Sequence, residues 1–335
     1  SISLWSADDA AALAGDFSGG YSATSDWFFQ MVFVATAASI VSGTVAERIK
    51  LWPFMIFVVV LTGVLYPITG SWTWGGGWLA EMGFADFAGS TIVHSVGGWA
   101  ALTGAIILGA RKGKYGADGS VHPMPGSNLP LATLGTFVLW LGWFGFNGGS
   151  QLAMGTGADV IAIANIYGNT SMAAAGGVVA AAILTQILYK KVDLTMALNG
   201  ALAGLVSITA GPDTPTIGSA IIIGAIGGVL VVVAVPLLDK LKIDDVVGAV
   251  SVHLVAGIWG TLAVPFTNDG ASFGVQLTGI VAMGAFTIVA SSIVWLILKF
   301  TVGIRLSEED EAMGSDAAEL GLEAYPEFGK GSQRF

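Results

Sequence analysis

Long apolar runs, separated by short polar segments, make up most of this chain. Nine runs approach the roughly 20 residues that a helix needs to cross a bilayer. The predicted spans are residues 28–46, 51–68, 91–110, 131–146, 171–189, 194–210, 217–238, 246–266 and 277–298. The sequence therefore predicts an all-α, polytopic helical membrane protein.

The polar remainder divides the chain into three regions. Residues 1–25, with Asp8, Asp9 and Asp16 among serines and glycines, are expected to form an extracellular segment. Residues 26–302 hold the predicted spans and form the transmembrane domain. Residues 303–335 are polar and acidic and are expected to form a cytoplasmic tail.

Composition supports the membrane assignment and removes several kinds of chemistry. Charged residues are 11% of the chain and hydrophobic residues 54%, whereas soluble domains carry about 25% charged residues. The chain has no cysteine, which excludes disulfides, thiolate metal sites and cysteine nucleophiles. Its 48 glycines are typical of helices that pack closely in lipid.

All thirteen lysines and arginines follow odd-numbered spans, so every one is predicted to lie on the same side of the membrane. They are Arg48, Lys50, Arg111, Lys112, Lys114, Lys190, Lys191, Lys240, Lys242, Lys299, Arg305, Lys330 and Arg334. Because cytoplasmic loops carry the excess of Lys and Arg, the chain is predicted to start outside and to end in the cytoplasm. The net charge of −10 says little about partners, since the two signs are segregated.

Two of the three histidines lie in matching sequence contexts, one in the third span and one in the eighth. Asp86, Gly89, Val93, His94, Val96 and Gly98 recur at the same offsets as Asp245, Gly248, Val252, His253, Val255 and Gly257. Polar groups inside a bilayer are unfavourable and usually mark a substrate path. We therefore expect a transporter or channel with His94 and His253 at its centre.

The distance between the repeats predicts how the two halves are related. The histidine spans are five apart, and an odd offset means opposite orientation in the membrane, as in transporters built from inverted repeats. An inverted five-helix repeat is complete in spans four to eight, but only three spans precede the second unit. Two further helices are expected to precede Ser1. Expressed from Ser1 alone, the chain is expected to fold poorly or not to conduct.

Aromatic side chains cluster near the predicted outer ends of the spans. Phe29 and Phe33 are one turn apart, Trp74 precedes three glycines, and Phe146 and Ser150 end the fourth span. Aromatic faces attract cations, but aromatic residues at this depth are also common as interfacial anchors. Both interpretations are open for each residue taken alone.

Other polar residues have simpler interpretations. Asp86 and Asp245 each precede a helix start, where a carboxylate caps backbone N–H groups. This structural role is favoured over a role in transport. His122 lies between prolines in a loop and is expected to face solvent. No phosphate-binding loop, nucleophile elbow or metalloprotease pattern is present. His94, His253 and a carboxylate could bind a metal, but their apolar surroundings argue against it, and no cofactor is expected.

The sequence resembles the ammonium transporter (Amt/Mep/Rh) family, closest to the bacterial Amt proteins, over essentially its whole length and in the family's order. The residues that carry the resemblance are Phe29, Gln30 and Phe33, Gly-Thr-Val-Ala-Glu-Arg at 43–48, Trp-Gly-Gly-Gly at 74–77, Asp-Phe-Ala-Gly-Ser-Thr-Ile-Val-His at 86–94, Asn-Leu-Pro at 128–130, Gly-Trp-Phe-Gly-Phe-Asn-Gly-Gly-Ser at 142–150, Val252 with His253, Ser-Glu-Glu-Asp-Glu at 307–311 and Ala-Tyr-Pro at 324–326.

The resemblance implies roles for individual residues. Trp74, Phe33 and Ser150 would form an outer site that recruits ammonium, with Asp86 buried beneath it. Phe33 and Phe146 would be the stacked rings that gate the pore. His94 and His253 would be the twin histidines of an apolar pore that conducts ammonia.

The resemblance also implies an assembly and a location. It implies eleven helices, a homotrimer with one pore per subunit, a place in the plasma (cell inner) membrane and a PII-type regulator (GlnK in bacteria) on the cytoplasmic face. Any family residues on the first two of those helices have no counterpart in this chain.

Three alternatives remain open. A passive ammonia gas channel would lack the aromatic cation site. An ammonium sensor would carry an appended signalling domain, for which a 33-residue tail is short. An intramembrane metalloenzyme would need further ligands. The expected function is transport, not catalysis of a chemical reaction.

Overall fold

The computed structural model describes residues 22–326, and in that part of the chain nine apolar helices form one bundle. Seven of them are long and apolar enough to cross a membrane, and two apolar helices are shorter. We number them α1 Ala23–Val45, α2 Leu51–Ser71, α3 Ser90–Leu108, α4 Leu129–Gly148, α5 Gly157–Tyr189, α6 Leu194–Ile208, α7 Ile217–Lys240, α8 Val250–Phe266 and α9 Phe273–Thr301. Three short helices, Trp78–Glu81, Glu308–Met313 and Ser315–Leu320, lie outside the bundle. The protein is a multi-pass membrane protein.

Each predicted span is found as a helix, but the prediction for the start of the fifth was wrong. Helix α5 begins at Gly157 rather than at residue 171. Thr156 and Asp159 cap it reciprocally, each side chain accepting a hydrogen bond from the other's backbone N–H. The polar residues that hid this start in the hydropathy pattern include Asn169, which is buried and donates to the carbonyls of Pro212 and Pro215.

Helices α5, α6 and α7 pack through glycine with their backbones almost in contact. A Cβ atom built on Gly224 would lie 1.9 Å from the carbonyl oxygen of Ala173, and one on Gly204 would lie 2.3 Å from the same oxygen. Small residues give this close approach in membranes, where apolar side chains gain little by leaving lipid.

A second group, made of α1, α2, α3 and α9, packs through large side chains. The rings of Phe57 and Trp295 stack with centroids 3.7 Å apart, and both side chains are fully buried. Helix α8 packs against α3 of this second group, with Gly98 against Leu254 and Gly257 against the carbonyl of Ser90. The two histidine helices are thereby held together at the centre of the bundle.

Four helices contain a turn wound as a π-helix. These turns span Leu61–Leu65, Ser90–Ser95, Phe144–Gly148 and Val250–Val255. Three of them contain His94, Phe146 or His253. Such turns are rare and occur often at functional sites. They were not predicted from the sequence.

A network of buried charges ties together the helix ends that carry the basic residues, which we call the basic side. The guanidinium of Arg48 is fully buried and donates to the carbonyls of Thr44, Gly109 and Asp244. Burial lowers the pKa of Arg48 to about 10, so it remains charged at neutral pH. Arg111 Nε lies 2.9 Å from the carboxylate of Asp244.

The tail, as far as it is described, packs against this basic side. Leu306 N donates to the carbonyl of Arg48, and Lys50 N donates to that of Ile304. Glu311 pairs with Arg305 at 2.7 Å, and Glu308 forms an ion pair with Lys112. Residues 1–21 and 327–335, which hold most of the expected extracellular segment and the end of the tail, lie outside the described residues, and the predicted domain boundaries stay predictions.

Candidate functional site

The two histidines of the sequence repeat meet at the centre of the bundle. Their Nδ1 atoms are 3.1 Å apart, with ring centroids 5.1 Å apart and planes inclined by 20°. A hydrogen bond between two Nδ1 atoms requires that one ring carries the proton there and that the other accepts it. For two neutral rings, one Nε2 is then an acceptor and the other a donor. The pair can therefore interact with a guest molecule in two different ways.

The repeated Asp and Gly residues start the histidine helices. The Asp86 carboxylate accepts hydrogen bonds from four backbone N–H groups, those of residues 89–92, at 2.7 to 3.1 Å. Asp245 accepts from the N–H groups of Val250 and Ser251 and from the hydroxyl of Thr44. The sequence prediction of a capping role for both aspartates agrees with this geometry.

The glycine of each repeat gives the chain its sharp entry into the helix. Gly89 has φ +103° and Gly248 has φ +79°, a left-handed conformation that other residues rarely adopt. At Gly89 a Cβ atom would also lie 2.4 Å from the side chain of Val93 and 3.1 Å from Trp74. The Asp-x-x-Gly spacing thus indicates a helix start and does not by itself indicate a binding site.

Aromatic rings cover His94 on the side of α4. The imidazole stacks on Trp143 with centroids 5.1 Å apart and on Phe146 with centroids 5.2 Å apart. Trp143 is buried, and its Nε1 donates to the hydroxyl of Thr209 at 2.8 Å. From the sequence, Trp143 was placed only within a motif and given no role. Its place three residues before Phe146, on the same helix face, is the signal that would have assigned it to the site.

The rings predicted to form a gate are in contact but are inclined to each other by 33° rather than stacked flat. Phe33 and Phe146 have centroids 4.1 Å apart, and Phe33 is 1% exposed. Trp74 meets Phe33 edge to face at 5.7 Å, and Phe29 packs on Phe33 at 4.6 Å. These residues belong to one hydrophobic cluster on the side of the histidines away from the basic side.

Three polar groups lie beside this aromatic cluster. Trp74 Nε1 donates to the carbonyl of Asp86 at 3.1 Å, so the indole lies directly over the capped helix start. The hydroxyl of Ser150 donates to the carbonyl of Phe146 at 2.8 Å, which leaves its oxygen free to accept. Both carboxylate oxygens of Asp86 are already engaged by backbone N–H groups, so Asp86 supplies a buried charge beneath Trp74.

A cavity of about 790 Å³ connects the gate rings to the basic side. It runs from Phe33 and Phe146 past His94 and His253 to Glu47 and Arg111. His94 is fully buried, and its Nε2 has no hydrogen-bond partner within residues 22–326. Over the same residues, no group of three or more His, Cys, Asp or Glu side chains is placed to hold a metal ion.

Comparison with known proteins identifies a family. A family model described as Ammonium Transporter Family matches residues 11–325. The ammonium transporter Amt2 of Archaeoglobus fulgidus is 41% identical over 332 residues, covering 90% of this chain and 70% of its own length. A putative ammonium transporter of Synechocystis is 41% identical over 306 residues, covering 90% of this chain and 69% of its own length. This chain therefore spans about seven tenths of the length of these two relatives.

Solved structures agree with that comparison. The structure of a sensor Amt protein has a TM-score of 0.84 and 41% identity, covering 88% of this chain and 76% of its own. Candida albicans Mep2 has a TM-score of 0.74 and 29% identity, covering 83% of this chain and 65% of its own.

Proposed function

The chain belongs to the ammonium transporter family, and we propose that it recruits ammonium on the side away from the basic loops, deprotonates it and conducts ammonia past the two histidines, while the proton crosses separately or is relayed by the histidine pair. The observation that carries this proposal is the arrangement of His94 and His253, joined through Nδ1 in a cavity that lies behind the paired rings of Phe33 and Phe146.

The aromatic cluster suits a cation. The rings of Trp74 and Phe33 lie at the outer end of the path, and an ammonium ion over such faces gains about 0.5–2 kcal/mol, more as it is desolvated. The free lone pairs of Ser150 provide an acceptor for an N–H group. The negative charge of Asp86 beneath Trp74 favours a cation there as well. Trp74, Phe33 and Ser150 are therefore the proposed recruiting site.

The passage beyond the gate suits a neutral molecule. To pass between Phe33 and Phe146, an ammonium ion would have to lose its hydration shell. A bare charge in an apolar passage is strongly unfavourable. Ammonium can lose a proton and become ammonia, whereas potassium cannot. With Nδ1 bonded to Nδ1, one ring of the histidine pair presents an acceptor at Nε2 and the other a donor, so the pair is suited to hydrogen-bond ammonia or to relay the proton. Selectivity for ammonium over potassium follows from this chemistry.

We further propose an orientation and an assembly. The start of the chain would lie outside and the tail in the cytoplasm, in the plasma (cell inner) membrane, because the basic residues lie on one side. Exposed apolar side chains on α4, such as Phe137 and Leu141, fit contact with lipid or with further protein, as in a homotrimer. A PII-type regulator would bind on the basic side, near the packed tail.

The test is electrophysiology on the full-length protein in liposomes. His94→Ala and His253→Ala are expected to abolish ammonium current or to remove its selectivity over potassium, while the protein remains folded. His122→Ala is the matched control, because the His122 ring is exposed in a loop and is hydrogen-bonded to the Ser120 hydroxyl and the Gly113 carbonyl, away from the two pore histidines. If both pore variants keep wild-type current and selectivity, the proposed role of the histidines is wrong.

A sensor is the second candidate, favoured by the similarity of this chain to the sensor Amt protein. A sensor would bind ammonium without carrying current. A passive gas channel would conduct ammonia without current, and its flux would follow the concentration of neutral ammonia. The liposome measurement distinguishes all three, because only the proposed transporter gives an ammonium-dependent current.

A further inference from the structure

One hydroxyl beside the histidine pair has no partner in the protein. Ser251 is fully buried, and its Oγ makes no hydrogen bond to any described residue. Other hydroxyls in these helices donate to the carbonyl four residues earlier, as Ser207 does to Ala203 and Thr136 to Ala132. A buried polar group without a partner is unfavourable and therefore points to a guest that satisfies it.

The position of Ser251 indicates what could satisfy it. Ser251 is two residues before His253 in the same π-helical turn, and it lines the 790 Å³ cavity together with both histidines. Its backbone N–H is already bonded to Asp245, so the hydroxyl is the group left free. Because α8 starts on the basic side, Ser251 lies between His253 and the end of the cavity at Glu47 and Arg111.

The two halves of the inverted repeat differ at this position. Counted from the repeated histidines, Ser251 corresponds to Ile92, which is also fully buried. The half that faces the gate rings therefore has an apolar side chain where the half that faces the basic side has a hydroxyl. At this position, therefore, only the half that starts on the basic side carries a hydroxyl.

We propose that the Ser251 hydroxyl hydrogen-bonds the ammonia molecule as it leaves His253 toward the basic side, and that it sets the rate of this exit. This inference rests on the proposed function. A hydroxyl donates to the lone pair of ammonia and accepts one of its N–H groups, so it matches the neutral molecule. Without the Ser251 hydroxyl, ammonia has one hydrogen-bond partner fewer on its way from the histidines to water.

The test uses the full-length protein in liposomes. Ser251→Ala is expected to lower the maximal ammonium current by about three- to ten-fold, the range given by one lost net hydrogen bond. The half-saturating ammonium concentration should not change, because the recruiting rings lie on the other side of the histidines. Thr136→Val is the matched control: Thr136 lines the same cavity, but its hydroxyl is bonded to Ala132, so its current should remain near that of the wild type.

A second measurement does not depend on a variant. Crystals of the wild-type protein grown with ammonium salt should show density within hydrogen-bond distance of Ser251 Oγ.

The proposal is overturned by wild-type maximal current in Ser251→Ala, by an equal loss in Thr136→Val, by a changed half-saturation alone, or by crystals that show Oγ bonded to a helix carbonyl. If the wild-type protein carries no ammonium current, the proposed function itself fails.

Discussion

Polar side chains deep in this bundle divide into those that fix the backbone and those that face the cavity. Asp86 and Asp245 are of the first kind, since their oxygens accept backbone N–H groups at the starts of α3 and α8. His94, His253 and Ser251 are of the second kind, with at least one nitrogen or oxygen open to a guest. Each aspartate caps the helix that carries a histidine, and in the proposed function the histidine contacts the substrate.

The contribution of Trp74 to recruitment can be measured by one substitution. Trp74→Leu is expected to raise the half-saturating ammonium concentration about five-fold, because one cation–π face contributes about 1 kcal/mol. Methylammonium should be affected similarly. Trp78→Leu is the control, since Trp78 packs on Trp72 away from the gate. Unchanged half-saturation in Trp74→Leu would favour the interfacial-anchor interpretation of this residue.

The residues of the candidate site were largely visible in the sequence. Matching contexts predicted that His94 and His253 meet, because a polar residue repeated in two apolar spans usually marks a site that both spans share. Ser251 was not predicted. A serine in a membrane helix normally bonds its own helix carbonyl, and only the structure shows that this one does not.

At the scale of helices, the glycine contacts among α5, α6 and α7 resemble the small-residue seams of membrane proteins. Hydropathy predicted where these helices lie, because crossing a bilayer requires a minimum apolar length. It missed the first turns of α5, where buried asparagine is satisfied by loop carbonyls. It also missed the π-helical turns, because a change of winding leaves the apolar composition unchanged.

The close glycine contacts among α5, α6 and α7 give a stability prediction. Gly224→Ala should lower the thermal unfolding midpoint in detergent, because its Cβ would lie 1.9 Å from the carbonyl oxygen of Ala173 and the helices must separate. Overpacking of this kind typically costs about 1–3 kcal/mol. In the control Gly63→Ala, the new methyl group has no atom within 4 Å. An equal midpoint for both variants would contradict the seam.

At the scale of the whole molecule, charge holds the basic side together where the apolar core ends. Burial opposes ionisation of Asp244, but hydrogen bonds from Arg111 and the charges of Arg48 and Arg111 lower its pKa below the usual value. Burial likewise lowers the pKa of Arg111, but its hydrogen bonds with Asp244 and Glu47 raise it by more. The network joins α1, α3, the segment before α8 and the tail.

Acid should therefore unfold the protein from the basic side. A carboxyl whose folded pKa is lowered stabilises the fold above its unfolded pKa of about 3.9 and loses that contribution as pH falls through the folded value. The contribution of Asp244 to the unfolding midpoint should be constant from pH 7 to about 5 and should be lost below about pH 4.

Asp244→Asn should be less stable at pH 7, by about 3 kcal/mol for a broken buried pair, and should show a weaker acid dependence. The exposed pair of Lys112 and Glu308 is the control, and Glu308→Gln should change little. Equal stability of Asp244→Asn and the wild type at pH 7 would contradict this account.

Orientation is testable because none of the 335 residues is cysteine. Asp269→Cys, in the exposed loop after α8, is expected to react with a membrane-impermeant maleimide in intact cells. Lys191→Cys, exposed after α5, is expected to react only after permeabilisation. The reverse pattern would invert the proposed topology. The parental protein without either cysteine gives the background.

The π-helical turns at Ser90–Ser95 and Val250–Val255 have a genetic consequence. Each residue of an α-helix advances the chain by about 100° around the axis, and a π turn fits one extra residue into that path. Loss of a single codon within either segment would restore regular winding and would change the direction in which the histidine of that turn points, while the later side chains of the helix would keep their faces. We therefore expect an in-frame deletion of one codon within either histidine turn to abolish transport. The same deletion in the loop at residues 116–120 is expected to leave transport intact.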